Sequence, residues 1–107
     1  MSVARAAFGP TADGRDIDAY ILGNANGLKV GIITYGAAIV SIETPDVYGH
    51  MTDVVLGFDQ ASGYQSGGNP YFGACCGRFA NRLAKGRFAI DGEAYSVAVN
   101  NGPNSLH

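Results

Sequence analysis

Turn residues punctuate this chain at short, regular intervals. Asp13-Gly14, Asn24-Ala25-Asn26-Gly27, Pro45-Asp46 and Asp91-Gly92 each separate stretches carrying Val, Ile, Tyr or Phe. Asn and Gly tolerate positive φ, Pro removes a ladder donor, and Asp-Gly between apolar runs is a strong hairpin signal. With 16 glycines and a turn every roughly eight to twelve residues, short strands are expected in place of helices. The implied fold class is all-β, an antiparallel β-sandwich.

The runs between the turns carry the strand signal. Val3 to Phe8 reads as a first strand. Asp16 to Leu22 alternates Ile17, Ala19 and Ile21 against Asp16, Asp18 and Tyr20, the period of a half-buried strand. Leu28 to Thr34 and Ala38 to Thr44 follow, separated by Tyr35-Gly36-Ala37. Asp53 to Phe58, with Val54, Val55 and Leu56 consecutive, reads as a central buried strand. Asp59 to Pro70 is a loop with at most a helical turn around Gln60 to Tyr64. Tyr71 to Cys76 is expected to be a buried segment. Arg87 to Ile90 and Ala94 to Val99 flank Asp91-Gly92 as a hairpin. Asn100-Asn101-Gly102-Pro103-Asn104 is then a polar loop presenting Leu106 and His107.

Size and charge narrow the partners. At 107 residues and 47% hydrophobic the chain can form one modest domain, 1–107, without an internal repeat or linker. A net charge of −2 without a basic cluster argues against nucleic acid and anionic membrane. No stretch approaches the ~20 apolar residues of a membrane helix, and Met1-Ser2-Val3-Ala4-Arg5 lacks a signal-peptide run. A cytoplasmic setting is expected. Cys75 and Cys76 are adjacent, which fits neither a disulfide framework nor a metal spacing, and two buried apolar thiols are expected.

The polar groups of interest lie at the two ends of the C-terminal hairpin. Asn81 and Arg82 precede it and His107 follows it, so a closed hairpin brings them together. A guanidinium presents five donors in a rigid fork and stays charged at neutral pH. Beside an Asn amide it suits a ligand dense in hydroxyls. The alternative for Arg82 is a structural ion pair with Asp53 or Asp59. Arg78 and Arg82 share one side if the segment is extended. His107 can donate a hydrogen bond or move a proton, and the Asn-Gly-Pro-Asn-Ser loop before it suggests an aimed side chain. His50 is the second histidine and falls in a turn, so no metal site is expected. Asp91 and Glu93 read as solvated turn residues. Phe79, Phe88 and Tyr95 suit either core packing or stacking on a sugar face.

Four segments, in order, resemble the N-terminal third of the galactose mutarotase (aldose 1-epimerase) family. Ile33-Thr34-Tyr35-Gly36-Ala37-Ala38-Ile39 resembles the family's T-x-G-A-x-I. Pro45-Asp46 with Asp53-Val54-Val55-Leu56-Gly57-Phe58-Asp59 resembles its P-D and D-V-V-L-G-F-D stretches. Gly77-Arg78-Phe79-Ala80-Asn81-Arg82-Leu83-Ala84-Lys85-Gly86 resembles G-R-x-A-N-R-I-x-x-G. Asn100-Asn101-Gly102-Pro103-Asn104-Ser105-Leu106-His107 resembles N-x-x-P-N-x-L-H-G-G.

The resemblance implies a large antiparallel supersandwich and a cofactor-free, metal-free isomerase that interconverts α and β anomers of aldoses such as galactose and glucose. By the same resemblance Asn81, Arg82 and His107 bind the sugar. A later histidine acid and a glutamate base, both beyond His107, open and reclose the ring, and a later aspartate grips the hydroxyls. No catalytic acid or base is therefore expected within 1–107, which is expected to be a truncated N-terminal fragment, inactive alone. Strand edges left open by such a cut would promote self-association. A small carbohydrate-binding β-module without catalysis is the alternative.

Overall fold

The computed structural model describes residues 1–107. The chain divides into two compact units, Met1–Cys75 and Cys76–His107.

The first unit is a five-stranded antiparallel meander in the order β1-β2-β3-β4-β5. Its strands are β1 (Ser2–Pro10), β2 (Asp16–Gly23), β3 (Lys29–Ile33), β4 (Ile39–Pro45) and β5 (Met51–Asp53). The first four lie where the alternation and turn chemistry of the sequence predict them. Side-chain carboxylates and amides close the turns. Asn24 Oδ1 accepts from the amides of Asn26 (2.9 Å) and Leu28 (3.0 Å), while Asp46 Oδ1 accepts from those of Tyr48 (2.8 Å) and His50 (2.9 Å). These short polar side chains satisfy backbone donors that the ladder cannot reach. His50 thus lies in a turn, as expected.

One face of the meander carries the core. Ile17, Ala19, Ile33 and Ala38 are buried with Ala61 and Tyr64 of the short helix α1 (Ala61–Gln65), and Phe8, Val40 and Phe58 pack against them. Ile17 and Ala19 are the inward members of the predicted alternation. Tyr64 is the link between helix and sheet. Its ring meets Phe58 edge-on at 5.3 Å and its hydroxyl accepts the Phe58 amide at 3.0 Å, so both its apolar body and its polar tip are used. No helix of the structure is long and apolar enough to cross a membrane.

Two expectations fail in this unit. Val54 to Leu56 is neither a strand nor central: β5 stops at Asp53, and Val54 and Leu56 are 62% and 73% exposed. The Asp53 carboxylate accepts the amides of both Ile42 (2.9 Å) and Val55 (3.0 Å). The Val54 amide still donates to the Ile42 carbonyl at 2.9 Å, but the Asp53 side chain takes the reciprocal donor of β4 and the amide two residues on, so the pairing ends after that one bond. Likewise Tyr71 to Cys76 is not a buried segment. Phe72 and Gly73 are half-buried, with the Phe72 ring 5.6 Å from Phe58 and the Gly73 carbonyl accepting the Ile39 amide at 2.9 Å; Ala74 then turns back onto the Tyr71 carbonyl, and the rest of the segment is exposed. The chain leaves the sheet at this turn, and both Cys75 and Cys76 are exposed.

The second unit consists of two small antiparallel pairs. β6 (Arg82–Leu83) pairs with β9 (Ser105–Leu106), and β7 (Arg87–Ile90) pairs with β8 (Glu93–Ser96). Asp91 and Gly92, both at positive φ (50° and 83°), form the tight turn of the β7–β8 hairpin. Consecutive positive φ values match the right-handed twist of the strands, which is why Asp-Gly signals a hairpin. Phe88 and Tyr95 are cross-strand partners stacked at 5.3 Å with an interplanar angle of 15°.

Candidate functional site

The β7–β8 hairpin lies between β6 and β9 in sequence, so closing β6 onto β9 returns the chain to where the hairpin began. The register sets Arg82 opposite Leu106 and Leu83 opposite Ser105. One step beyond the ladder, the His107 amide donates to the Asn81 carbonyl at 2.9 Å, and the Asn81 amide donates to His107 Nδ1 at 3.3 Å. Asn81 and His107 adopt left-handed backbone (φ 67° and 63°), a conformation Asn and His tolerate better than most residues.

Asparagines of the following loop fasten this arrangement. Asn100 clasps Leu106 from both sides: its Oδ1 accepts the Leu106 amide at 2.7 Å and its Nδ2 donates to the Leu106 carbonyl at 3.1 Å. Asn104 Oδ1 accepts the Lys85 amide at 3.2 Å. Arg82 donates through Nε to Asn101 Oδ1 at 2.9 Å and through Nη1 to Asn81 Oδ1 at 3.3 Å. Both partners are neutral amides, so the guanidinium keeps its full charge uncompensated within the cluster, and its Nη2 edge bonds to no protein group. The structural ion pair considered for Arg82 is replaced by an amide-held geometry.

The three residues singled out from the sequence, Asn81, Arg82 and His107, therefore meet in one exposed, hydrogen-bonded cluster. With Nδ1 engaged as an acceptor, the neutral imidazole carries its proton on Nε2. The cluster thus presents two unengaged donors, Arg82 Nη2 and Asn81 Nδ2, while His107 Nε2 faces Cys76 Sγ at 3.7 Å. Such a set matches oxygen lone pairs of a polyhydroxyl ligand. The carboxylate side chains of this unit, Asp91 and Glu93, lie at the far hairpin turn and its exit.

Arg78 does not join the cluster. The extended ladder begins only at Arg82, so the even spacing from Arg78 has no strand on which to act. Arg78 instead lines an open hollow of about 760 Å³ with Phe79, Leu83, Phe88, Val97 and His107. Asn101 and Cys76 are the partners that sequence reasoning missed. Cys76 Sγ lies 3.7 Å from His107 Nε2. The three asparagines of the loop, Asn100, Asn101 and Asn104, were the available signal for the first; nothing in the sequence marks the second.

The aldose 1-epimerase family model matches residues 18–107. Galactose mutarotase from Bos taurus is 48% identical over 107 residues, covering 100% of this chain and 31% of its own length. The Homo sapiens galactose mutarotase is 45% identical over 106 residues, with 99% and 31% covered. Among solved structures, an aldose epimerase homologue from C. elegans aligns with a TM-score of 0.62 at 33% identity, covering 81% of this chain and 26% of its own. A galactose 1-epimerase from Lactobacillus acidophilus shares the fold at a TM-score of 0.66 and 21% identity, covering 100% of this chain and 30% of its own. The chain belongs to the aldose 1-epimerase family, a family of isomerases. It spans 31% of the length of the mutarotases it matches.

Proposed function

We propose that this chain carries the sugar-orienting part of a mutarotase site, with Asn81, Arg82 and His107 as its substrate-binding residues. The observation that carries the reading is their convergence at the β6–β9 junction, with Arg82 Nη2 and Asn81 Nδ2 bonded to no protein group. The ligand is an aldose such as galactose or glucose, whose hydroxyl and ring oxygens accept from these donors. Anomer interconversion requires a base to take the anomeric hydroxyl proton and an acid to protonate the ring oxygen. General acid–base groups contribute about 10²–10⁴-fold only when positioned at the reacting atoms. The cluster orients and polarises; it contains no carboxylate to serve as the base. The proton-transferring groups belong, on this reading, to the further length that the matched mutarotases possess.

Polarimetry on freshly dissolved α-galactose tests it. Residues 1–107 alone are expected to leave the rate at the buffer value. In a protein that continues to the length of its relatives, Arg82→Ala and His107→Ala should each lower kcat/KM. A hydrogen bond involving a charged group is worth about 1.5–3 kcal/mol, or roughly ten- to over a hundredfold. Full activity in the Arg82 variant would remove that residue from the site. Sugar binding by 1–107 with no turnover in the longer protein would favour a carbohydrate-binding module.

A further inference from the structure

Asn-Gly occurs twice in the chain, at Asn26-Gly27 and at Asn101-Gly102. This dipeptide is open to spontaneous deamidation, because a residue without a Cβ leaves its amide nitrogen clear to attack the preceding side-chain carbonyl. The two pairs stand in different surroundings. In the β2–β3 turn, Gly27 is half-buried and its amide donates to the Asn24 carbonyl at 3.4 Å, while the Asn26 side chain bonds to no protein group. In the loop before β9, Gly102 is exposed and its amide bonds to no protein group. Asn101 Oδ1 accepts from Arg82 Nε at 2.9 Å. A guanidinium bonded there draws electron density from Cγ and stabilises the charge that gathers on Oδ1 during attack. The Asn101 amide and carbonyl are each tied to Asn104 at 3.0 Å, and the Gly102 nitrogen between those ties stays free.

The structure assigns Asn101 as a deamidation site promoted by Arg82, and the acidic product then occupies that same guanidinium. The Gly102 nitrogen attacks Asn101 Cγ, a C–N bond forms and the Cγ–Nδ2 bond breaks. The proton of the Gly102 amide passes through solvent to the departing Nδ2, which leaves as ammonia. Water then opens the cyclic imide at either carbonyl, giving aspartate or isoaspartate; the net change is water taken up and ammonia released. In the aspartate product an oxygen stands where Nδ2 stood, so an atom that could only donate becomes an acceptor for Arg82. The carboxylate can then hold Nε and Nη2 together in the fork geometry that guanidinium favours. Isoaspartate brings the same charge on a lengthened backbone. Nη2 is the edge given above to the sugar, so this consequence rests on that reading; the modification itself does not.

Incubation in mildly alkaline buffer, followed by proteolysis and mass spectrometry, reads both asparagines in one sample as the small mass gain from amide to acid. Asn101 is expected to convert about tenfold faster than Asn26, the low end of what one charge-assisted hydrogen bond contributes to a barrier. Arg82→Ala should remove that advantage, and so should denaturant, where both pairs are the same dipeptide in an open chain. An Asn26 that converts as fast, an Asn101 rate unmoved by Arg82→Ala, or an advantage that survives denaturant would each overturn the assignment. The denaturant comparison needs no variant, so it decides the matter if Arg82→Ala disturbs the fold. The acidic form, separated by ion exchange, should show a shifted Arg82 Nε–H resonance and bind galactose about tenfold or more weakly, as should Asn101→Asp. An unshifted resonance, or undiminished galactose affinity in the acidic form, would overturn the pairing. Failure of both forms to bind galactose would count against the sugar-orienting reading alone, with the rates and the resonance still deciding the modification.

Discussion

Replacing Gly86 by alanine should destabilise the second unit far more than the same change at Gly92, although both glycines sit at positive φ. Gly86 has φ 63° and is buried in the turn between β6 and β7; Gly92 has φ 83° in the hairpin turn. Left-handed backbone costs a residue with a Cβ about 1–2 kcal/mol, and loss of unfolded-state freedom returns about 0.4–1 kcal/mol of it. Gly92→Ala should therefore lose about 1 kcal/mol, since its new methyl meets nothing within 4 Å. At Gly86 the Cβ would stand 2.6 Å from the Val97 carbonyl oxygen. The same strand segment donates its Val97 amide to the Gly86 carbonyl at 2.8 Å, so the backbone cannot retreat without loosening that bond. Overpacking typically costs about 1–3 kcal/mol, which sets Gly86→Ala at about 2–4 kcal/mol in total. Urea unfolding followed by circular dichroism measures both variants against the parent. If the two alanines agree within about 0.5 kcal/mol, the close approach of Gly86 and Val97 does not hold the turn.

Asn101→Ala removes the Nε anchor of Arg82 without removing the guanidinium. A lost neutral hydrogen bond of about 0.5–1.5 kcal/mol should weaken sugar affinity about two- to tenfold, less than Arg82→Ala, as measured by calorimetric titration. The Asp13 carboxyl is held below its ordinary value of 3.8 by its hydrogen bonds from Arg15 and then from Thr11. A depressed carboxyl contributes stability that is fully present above that ordinary value and lost as pH falls through the folded one. Amide shifts of Gly14 and Arg15 should therefore change on acidification below 3.8, and Asp13→Asn should remove that step. Strands β1 and β5 each pair on one side only, and unpaired edges template association. Light scattering after size-exclusion chromatography should give a mass that rises with concentration, and a constant monomer mass would refute it.

Much of the first sheet is legible because its physics is local. The alternation of Ile17 and Ala19 with Asp16 and Asp18 specifies which face is buried, and the structure buries those two residues. Asp91-Gly92 specifies its hairpin because the turn's φ values suit those residues. Val54-Val55-Leu56 misled because a continuous apolar run looks the same whether or not it enters a sheet. What stops β5 is the Asp53 side chain reaching Ile42, eleven residues away in sequence. The cysteines misled for a related reason: small apolar type argues for burial, while a turn at Tyr71 to Ala74 decides exposure. At the candidate site, the meeting of Asn81, Arg82 and His107 followed from hairpin closure. The Arg82–Asn101 and Cys76–His107 contacts span 19 and 31 residues and depend on side-chain placement, which periodicity does not encode.

The central claim is that Asn81, Arg82 and His107 form one sugar-orienting surface. Titrating isotopically labelled protein with galactose while recording its amide and side-chain nuclear magnetic resonance spectra tests this most directly. The account predicts saturable shifts at Asn81, Asn101 and His107 and at the Arg82 Nε–H, abolished by Arg82→Ala with the remaining spectrum preserved. Saturable shifts confined to residues 1–75, or shifts at the cluster that persist unchanged in the Arg82 variant, would contradict it.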